Sequence, residues 1–175
     1  MPTTSKANDF NLIGTDDKKY SLKNFLNKKA LVIIFSCNHC PYVQAYENRL
    51  IEIQENYQKK EIQIICINSN NSDEYPEDSF ENMKQRAQEK KFNFPYLYDP
   101  TQKTAHQYGA THTPQVFLFD EFLNLRYTGK IDDDWKNPQN VKRQFLREAL
   151  NSILENKIPL ETETYAIGCS IKWKK

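Results

Sequence analysis

Two thiols three positions apart, Cys37 and Cys40 in the run Phe35-Ser36-Cys37-Asn38-His39-Cys40-Pro41, are the residues of this chain best suited to chemistry. Once one thiolate has reacted, the neighbouring sulfur can close a disulfide, so the pair reads as a redox centre. Zinc knuckles share the spacing, but tetrahedral zinc asks for four ligands and no second such pair exists, so no metal is expected. His39, between the cysteines, would stabilise a Cys37 thiolate and with it the reduced form. His112 precedes Thr113-Pro114 and is a candidate for proton transfer. Together with Cys37 and Cys40 it would make a copper or zinc site, which is one alternative reading.

The two other cysteines have different settings. Cys66 lies inside the apolar run Ile62-Gln63-Ile64-Ile65-Cys66-Ile67 and reads as a small core residue. Cys169 stands in a C-terminal stretch where Tyr165, Ile167, Cys169, Ile171 and Trp173 alternate with period two, as one face of a strand would. Packing is the favoured role there. A tail of some 15 residues extends about 50 Å, so reach also permits Cys169 as a third redox thiol.

The elements around Cys37 and Cys40 decide their geometry. Leu31 to Phe35 reads as a buried strand, and Val43, Tyr46, Leu50, Ile53 and Tyr57 fall on one face of a helix from about Cys40 to about Lys59. The thiols therefore sit at a helix N-terminus, where free N–H groups and the helix dipole favour negative charge. Upstream, Phe10 to Leu22 reads as a small hairpin around Asp16-Asp17-Lys18-Lys19. Downstream come the Ile62 to Ile67 strand, a polar loop over Asn68 to Asp78, and a helix carrying Phe80, Met83 and Ala87. The run Phe94-Pro95-Tyr96-Leu97-Tyr98 and a short helix near Thr104 to Tyr108 precede an antiparallel pair, Gln115 to Phe119 with Leu125 to Ile131. Val141, Phe145, Ala149 and Ile153 mark a last long helix ending before Pro159. The βαβα order predicts an α/β fold with a parallel pair and crossover helices.

With 175 residues the chain is expected to form one domain over 1–175, its core at about 10–154 and a docked C-terminal extension at about 157–175. The 24 Lys+Arg against 23 Asp+Glu leave no field to attract nucleic acid or an anionic membrane. No apolar run reaches the roughly 18 residues of a membrane span, and Met1 to Lys6 lacks the apolar core of a leader peptide. A cytoplasmic location and a monomer or weak dimer are expected.

The Cys37-Asn38-His39-Cys40 motif between strand and helix, Thr113-Pro114 ahead of a later strand, and an α/β order ending in hairpin and helix resemble the thioredoxin superfamily. The closest likeness is to its redoxin or peroxiredoxin-like (AhpC/TSA-related) branch, over roughly Phe10 to Leu154. The resemblance implies a central mixed β-sheet flanked by helices, with an N-terminal hairpin and an inserted helix around Ser79 to Lys91. It implies Cys37 as the exposed attacking thiol, Cys40 as the more buried resolving thiol, and a cis Pro114 that presents the Thr113 backbone to an extended substrate. The implied activity is thiol–disulfide exchange without a cofactor, an antioxidant activity. The substrate would be a disulfide-containing protein or a small thiol, served by a thiol- or NADPH-linked reductant. A peroxidase with Cys40 peroxidatic and Cys37 resolving is the other alternative.

Departures accompany the matches. Thioredoxins carry Trp immediately before the first cysteine and an acidic residue six positions before it, where this chain has Ser36 and Leu31. A buried carboxylate is therefore expected to be missing. The peroxiredoxin PxxxTxxC pattern, aligned on Cys40, finds Ile33 and Cys37 at its Pro and Thr positions, while Cys40-Pro41 matches.

Overall fold

A computed structural model describes residues 5–175; Met1 to Thr4, at the head of the stretch read for a leader, lie outside the described residues. In chain order the elements are β1 (Leu12–Gly14), β2 (Lys19–Tyr20), β3 (Ala30–Ser36), α1 (Pro41–Tyr57), β4 (Ile62–Asn68), α2 (Phe80–Lys90), β5 (Tyr96–Tyr98), α3 (Lys103–Tyr108), β6 (His112–Thr113), β7 (Gln115–Asp120), β8 (Leu125–Gly129), α4 (Phe145–Leu154) and β9 (Cys169–Ser170).

Seven strands form one sheet in the order β2-β1-β5-β4-β3-β7-β8. β3 and β4 pair in parallel, with Val32 opposite Ile64, and β4 pairs in parallel with β5. Parallel neighbours cannot be joined by a tight turn, which is why α1 and α2 lie between them in the chain. β7 runs antiparallel on the other side of β3 and turns back into β8, while the β1–β2 hairpin attaches antiparallel to β5. The fold is thus α/β with a mixed central sheet flanked by helices, as expected.

Side-chain alternation in β3 splits the interior in two. Val32 and Ile34 face one layer with Tyr46, Leu50 and Ile53 of α1, Met83 of α2 and Leu146 and Leu150 of α4. Leu31, Ile33 and Phe35 face the other, with Phe10, Phe25, Tyr108 and Ile171. Both faces of β3 are therefore buried, which accounts for its unbroken apolar sequence. α1 and β4 are further tied by Gln54, whose Oε1 accepts the Ile64 N–H at 2.7 Å and whose amide donates to the Ile62 carbonyl at 3.1 Å.

Two expectations are corrected. α4 begins at Phe145, so Val141 lies outside it. The segment before it is held extended, because the Asp133 N–H bonds the Arg143 carbonyl and the Lys142 N–H bonds the Asp133 carboxylate. The tail is docked, but its alternation covers only Cys169, Ile171 and Trp173; Tyr165 and Ile167 are exposed. Thr162 and Thr164 share backbone bonds with Thr128, whereas Cys169 pairs with Thr113, so the residues between them bridge two separate edges. Among the described residues no helix is long and apolar enough to cross a membrane.

Ile34 is fully buried at the centre of the sheet. Ile34→Ala is expected to cost about 3 kcal/mol, read as a lower urea midpoint with an unchanged slope.

Candidate active site

β3 delivers the chain to the mouth of α1, and the turn between them carries both thiols. Cys40 is the residue that caps the helix, with extended backbone (φ −76, ψ 124), and Pro41 occupies the first helical turn, where no N–H is needed. The Cys40 sulfur makes no capping hydrogen bond, but it lies near the first turn, where the Val43 N–H lowers its pKa. Opposite lies β6, whose last residue, Thr113, precedes a cis peptide bond to Pro114. The Thr113 hydroxyl is 3.6 Å from Cys37 Sγ, and its carbonyl oxygen is 3.5 Å from Cys40 Sγ.

The two thiols are not equivalent. Cys40 is shifted down to about 4, chiefly because the Cys37 thiol donates to its sulfur, with Cys169 and the Val43 N–H adding to this against the cost of burial. Cys37 is pushed up by that same hydrogen bond, by burial and by the nearby charge of Asp78. The two thiols thus titrate as one coupled pair. Cys37, expected as the exposed thiol, is buried like Cys40, at 2 % and 1 % exposure.

A buried carboxylate is present after all, from an element where none was expected. Asp78, fully buried at the end of the polar loop, accepts the Asn38 N–H at 2.7 Å and bonds the amides of Asn68 and Asn70 at 3.2 and 3.0 Å. Tyr96 completes the network by donating to Asn38 at 2.7 Å. His39 Nδ1 lies 2.6 Å from Asp78 Oδ2, off the line of a well-aligned hydrogen bond, and its ring stacks on Tyr75. Local sequence carries no sign of this arrangement, since a run of Asn, Ser, Asp and Glu reads as solvated loop.

His112, on β6, does not join the sulfurs; its Nδ1 is 2.8 Å from the Thr111 hydroxyl. The metal-site alternative using Cys37, Cys40 and His112 is therefore corrected. Among the described residues, the ligand-type groups that converge within 4.8 Å are Cys37, His39 and Asp78. His106 stacks on Trp173 of the tail. Cys66 lies in the core, its thiol pushed up by burial. Cys169 is the opposite case: its Sγ is 2.8 Å from Cys40 Sγ, in one apolar cluster with Cys37, Cys40, Val43 and Tyr42.

Comparison with known proteins follows this geometry. A family model described as the AhpC/TSA family matches residues 3–128. A solved structure of an uncharacterized conserved protein from Geobacillus kaustophilus is 38% identical with a TM-score of 0.92, covering 99% of this chain and 95% of that one. A hypothetical protein from Sinorhizobium meliloti 1021 is 33% identical at the same TM-score, over 97% and 93% of the two chains. The thioredoxin domain of a thiol-disulfide oxidoreductase from Bacteroides vulgatus shares the fold at 16% identity and a TM-score of 0.60, over 69% and 83%. Comparison with curated proteins gave no match.

Because the Cys40 value lies below the 9.0 of an ordinary thiol, its ionisation stabilises the reduced fold in full above about 9, and that contribution is lost as pH falls to about 4. Thiolate absorbance at 240 nm in the reduced protein is expected to show one thiolate persisting to about pH 4 and missing from Cys40→Ser. A first thiolate titrating near 8 to 9 would contradict this assignment.

Proposed function

The chain belongs to the AhpC/TSA family, and from that premise we propose that it is a thiol–disulfide oxidoreductase whose Cys37 and Cys40 cycle between dithiol and disulfide. The observation that carries this reading is the geometry: Cys37 and Cys40 meet at the N-terminus of α1, with the Thr113 hydroxyl 3.6 Å from Cys37 Sγ and the Thr113 carbonyl oxygen 3.5 Å from Cys40 Sγ. The printed activity of the Bacteroides vulgatus protein agrees with it.

The direction of exchange follows from the same interactions. Hydrogen bonds to the Cys40 thiolate exist only in the reduced protein, so they stabilise the dithiol and make the disulfide a stronger oxidant. A low-pKa sulfur is also the better leaving group when an attacking thiolate breaks a disulfide. The proposed substrates are thiols of a protein or small molecule, oxidised to disulfides while Cys37 and Cys40 are reduced; a small disulfide then recharges the pair.

Asp78 takes part by position. Its charge disfavours a Cys37 thiolate, so Cys37 keeps the proton until Cys40 is consumed in a bond. A peroxidase reading, with Cys40 oxidised to sulfenic acid and Cys37 closing the disulfide, has the family match and Cys40-Pro41 in its favour. It stands second because Cys37 occupies the position of the family's threonine.

Cys37→Ser and Cys40→Ser are each expected to lower dithiol oxidation or insulin-disulfide exchange on the order of 100-fold or more, measured in parallel with wild type. Wild-type turnover in either variant would remove the proposal.

A further inference from the structure

Neither member of the Cys37 and Cys40 pair is open to solvent, and the segment that covers them brings a sulfur of its own. β9 pairs antiparallel with β6, placing Cys169 opposite Thr113 and Ser170 opposite His112. The approach is as close as backbone allows: a Cβ on Gly168 would lie 2.0 Å from the Thr113 carbonyl oxygen, so only glycine fits. Beyond β9 the strand is fastened at several points. The Ile171 N–H bonds the Thr111 carbonyl at 3.0 Å, the Lys172 N–H bonds the Asn70 side chain at 2.9 Å, and the Lys172 carbonyl accepts from the Gln102 amide at 2.8 Å. Ile171 is buried, and Trp173 stacks on His106 at 4.2 Å between ring centroids. Cys169 is thus held in register with the Cys40 sulfur 2.8 Å away, while remaining partly exposed itself.

We propose that Cys169 is the third sulfur of the redox site: the docked tail acts as a built-in substrate strand, and a Cys40–Cys169 disulfide carries oxidising equivalents from the buried pair to external thiols. This rests on the function proposed for the Cys37 and Cys40 pair. Starting from the Cys37–Cys40 disulfide, the Cys169 thiol, which burial pushes up, gives its proton to solvent and attacks Cys40 Sγ. The Cys37–Cys40 bond breaks, the Cys40–Cys169 bond forms, and Cys37 leaves as a thiolate that takes up a proton. An external dithiol then attacks the exposed Cys169 sulfur, giving a mixed disulfide and releasing Cys40 as the thiolate. The second thiol of that substrate displaces Cys169, yielding the substrate disulfide and three reduced cysteines. Two electrons pass from the dithiol to the original disulfide, and no other oxidant is consumed.

The arrangement also assigns a cause to the partial exposure of Cys169. A sulfur that must meet external thiols cannot be sealed in, whereas Cys37 and Cys40 can be, once their exchange partner is part of the same chain. In the release step, where Cys40 is the leaving sulfur, its lowered pKa favours departure from Cys169; the first step, which expels Cys37, is driven by the proximity of Cys169 Sγ at 2.8 Å from Cys40 Sγ.

The test is disulfide mapping of the full chain equilibrated in glutathione buffers, acid-quenched, alkylated and digested for mass spectrometry. Wild type is expected to contain both Cys37–Cys40 and Cys40–Cys169, and Cys37→Ser to accumulate Cys40–Cys169. Cys169→Ser is expected to keep Cys37–Cys40 yet oxidise an external dithiol at least about tenfold more slowly. Gly168→Val, which pushes the strand off Thr113, should lower the Cys40–Cys169 yield about tenfold and leave Cys37–Cys40 in place. A Cys37–Cys40 bond in wild type, with Cys169 still alkylated in Cys37→Ser, would overturn the relay and leave the pair's own exchange standing. A Cys40–Cys169 bond with no Cys37–Cys40 bond in wild type would overturn the reading of the pair instead.

Discussion

The structure depends on one placement: the Cys40 sulfur at the N-terminus of α1, beside free backbone N–H groups and beneath the Thr113 carbonyl. A thiolate needs donors, and a buried one needs them fully supplied. Cys37, Cys169 and the Val43 N–H lie against this sulfur and lower its pKa, and each contact fixes a part of the fold. The helix end requires β3 to stop at Ser36. The Cys37 thiol requires the turn between them. The Cys169 contact requires the tail to fold back over β6. Asp78 acts from the other side, its charge adding to the Cys40 hydrogen bond and burial that push the Cys37 thiol up.

Residues near in sequence made much of this legible. The βαβ unit around Cys37 and Cys40 follows from an apolar run, a Pro41 fit for a helix start, and a three-and-four spacing over Val43 to Tyr57. Tertiary contacts supplied the rest. Asp78 lies in a loop whose composition signals solvent, and it is buried only because Asn38, Asn68, Asn70 and His39 converge on it from separate segments. The position where thioredoxins carry their carboxylate holds Leu31, on β3, and the fold brings one in from the loop after β4 instead. The exposure expected of Cys37 failed for a related reason: Thr113 and the tail cover both sulfurs, and neither element is local to them in sequence.

The tail shows both the strength and the limit of periodicity. Alternation from Tyr165 to Trp173 announced an extended segment, and Ile171 and Trp173 do pack inward. It did not reveal that the chain changes partner between Thr164 and Cys169, since that depends on two edges, Thr128 and Thr113, far away in sequence. Gly168 was the available clue. A glycine beside a cysteine in an otherwise bulky strand marks a close backbone approach, and here the approach is to Thr113, which flanks the Cys37 and Cys40 sulfurs.

The reduction potential of the Cys37–Cys40 couple, measured in glutathione redox buffers at pH 7, tests the role of the Cys40 thiolate most directly. Stabilisation of the reduced form by hydrogen bonds to that sulfur predicts a value of about −180 mV or higher, in the range of disulfide isomerases and stronger oxidants. A value near −270 mV, at the thioredoxin end, would contradict it.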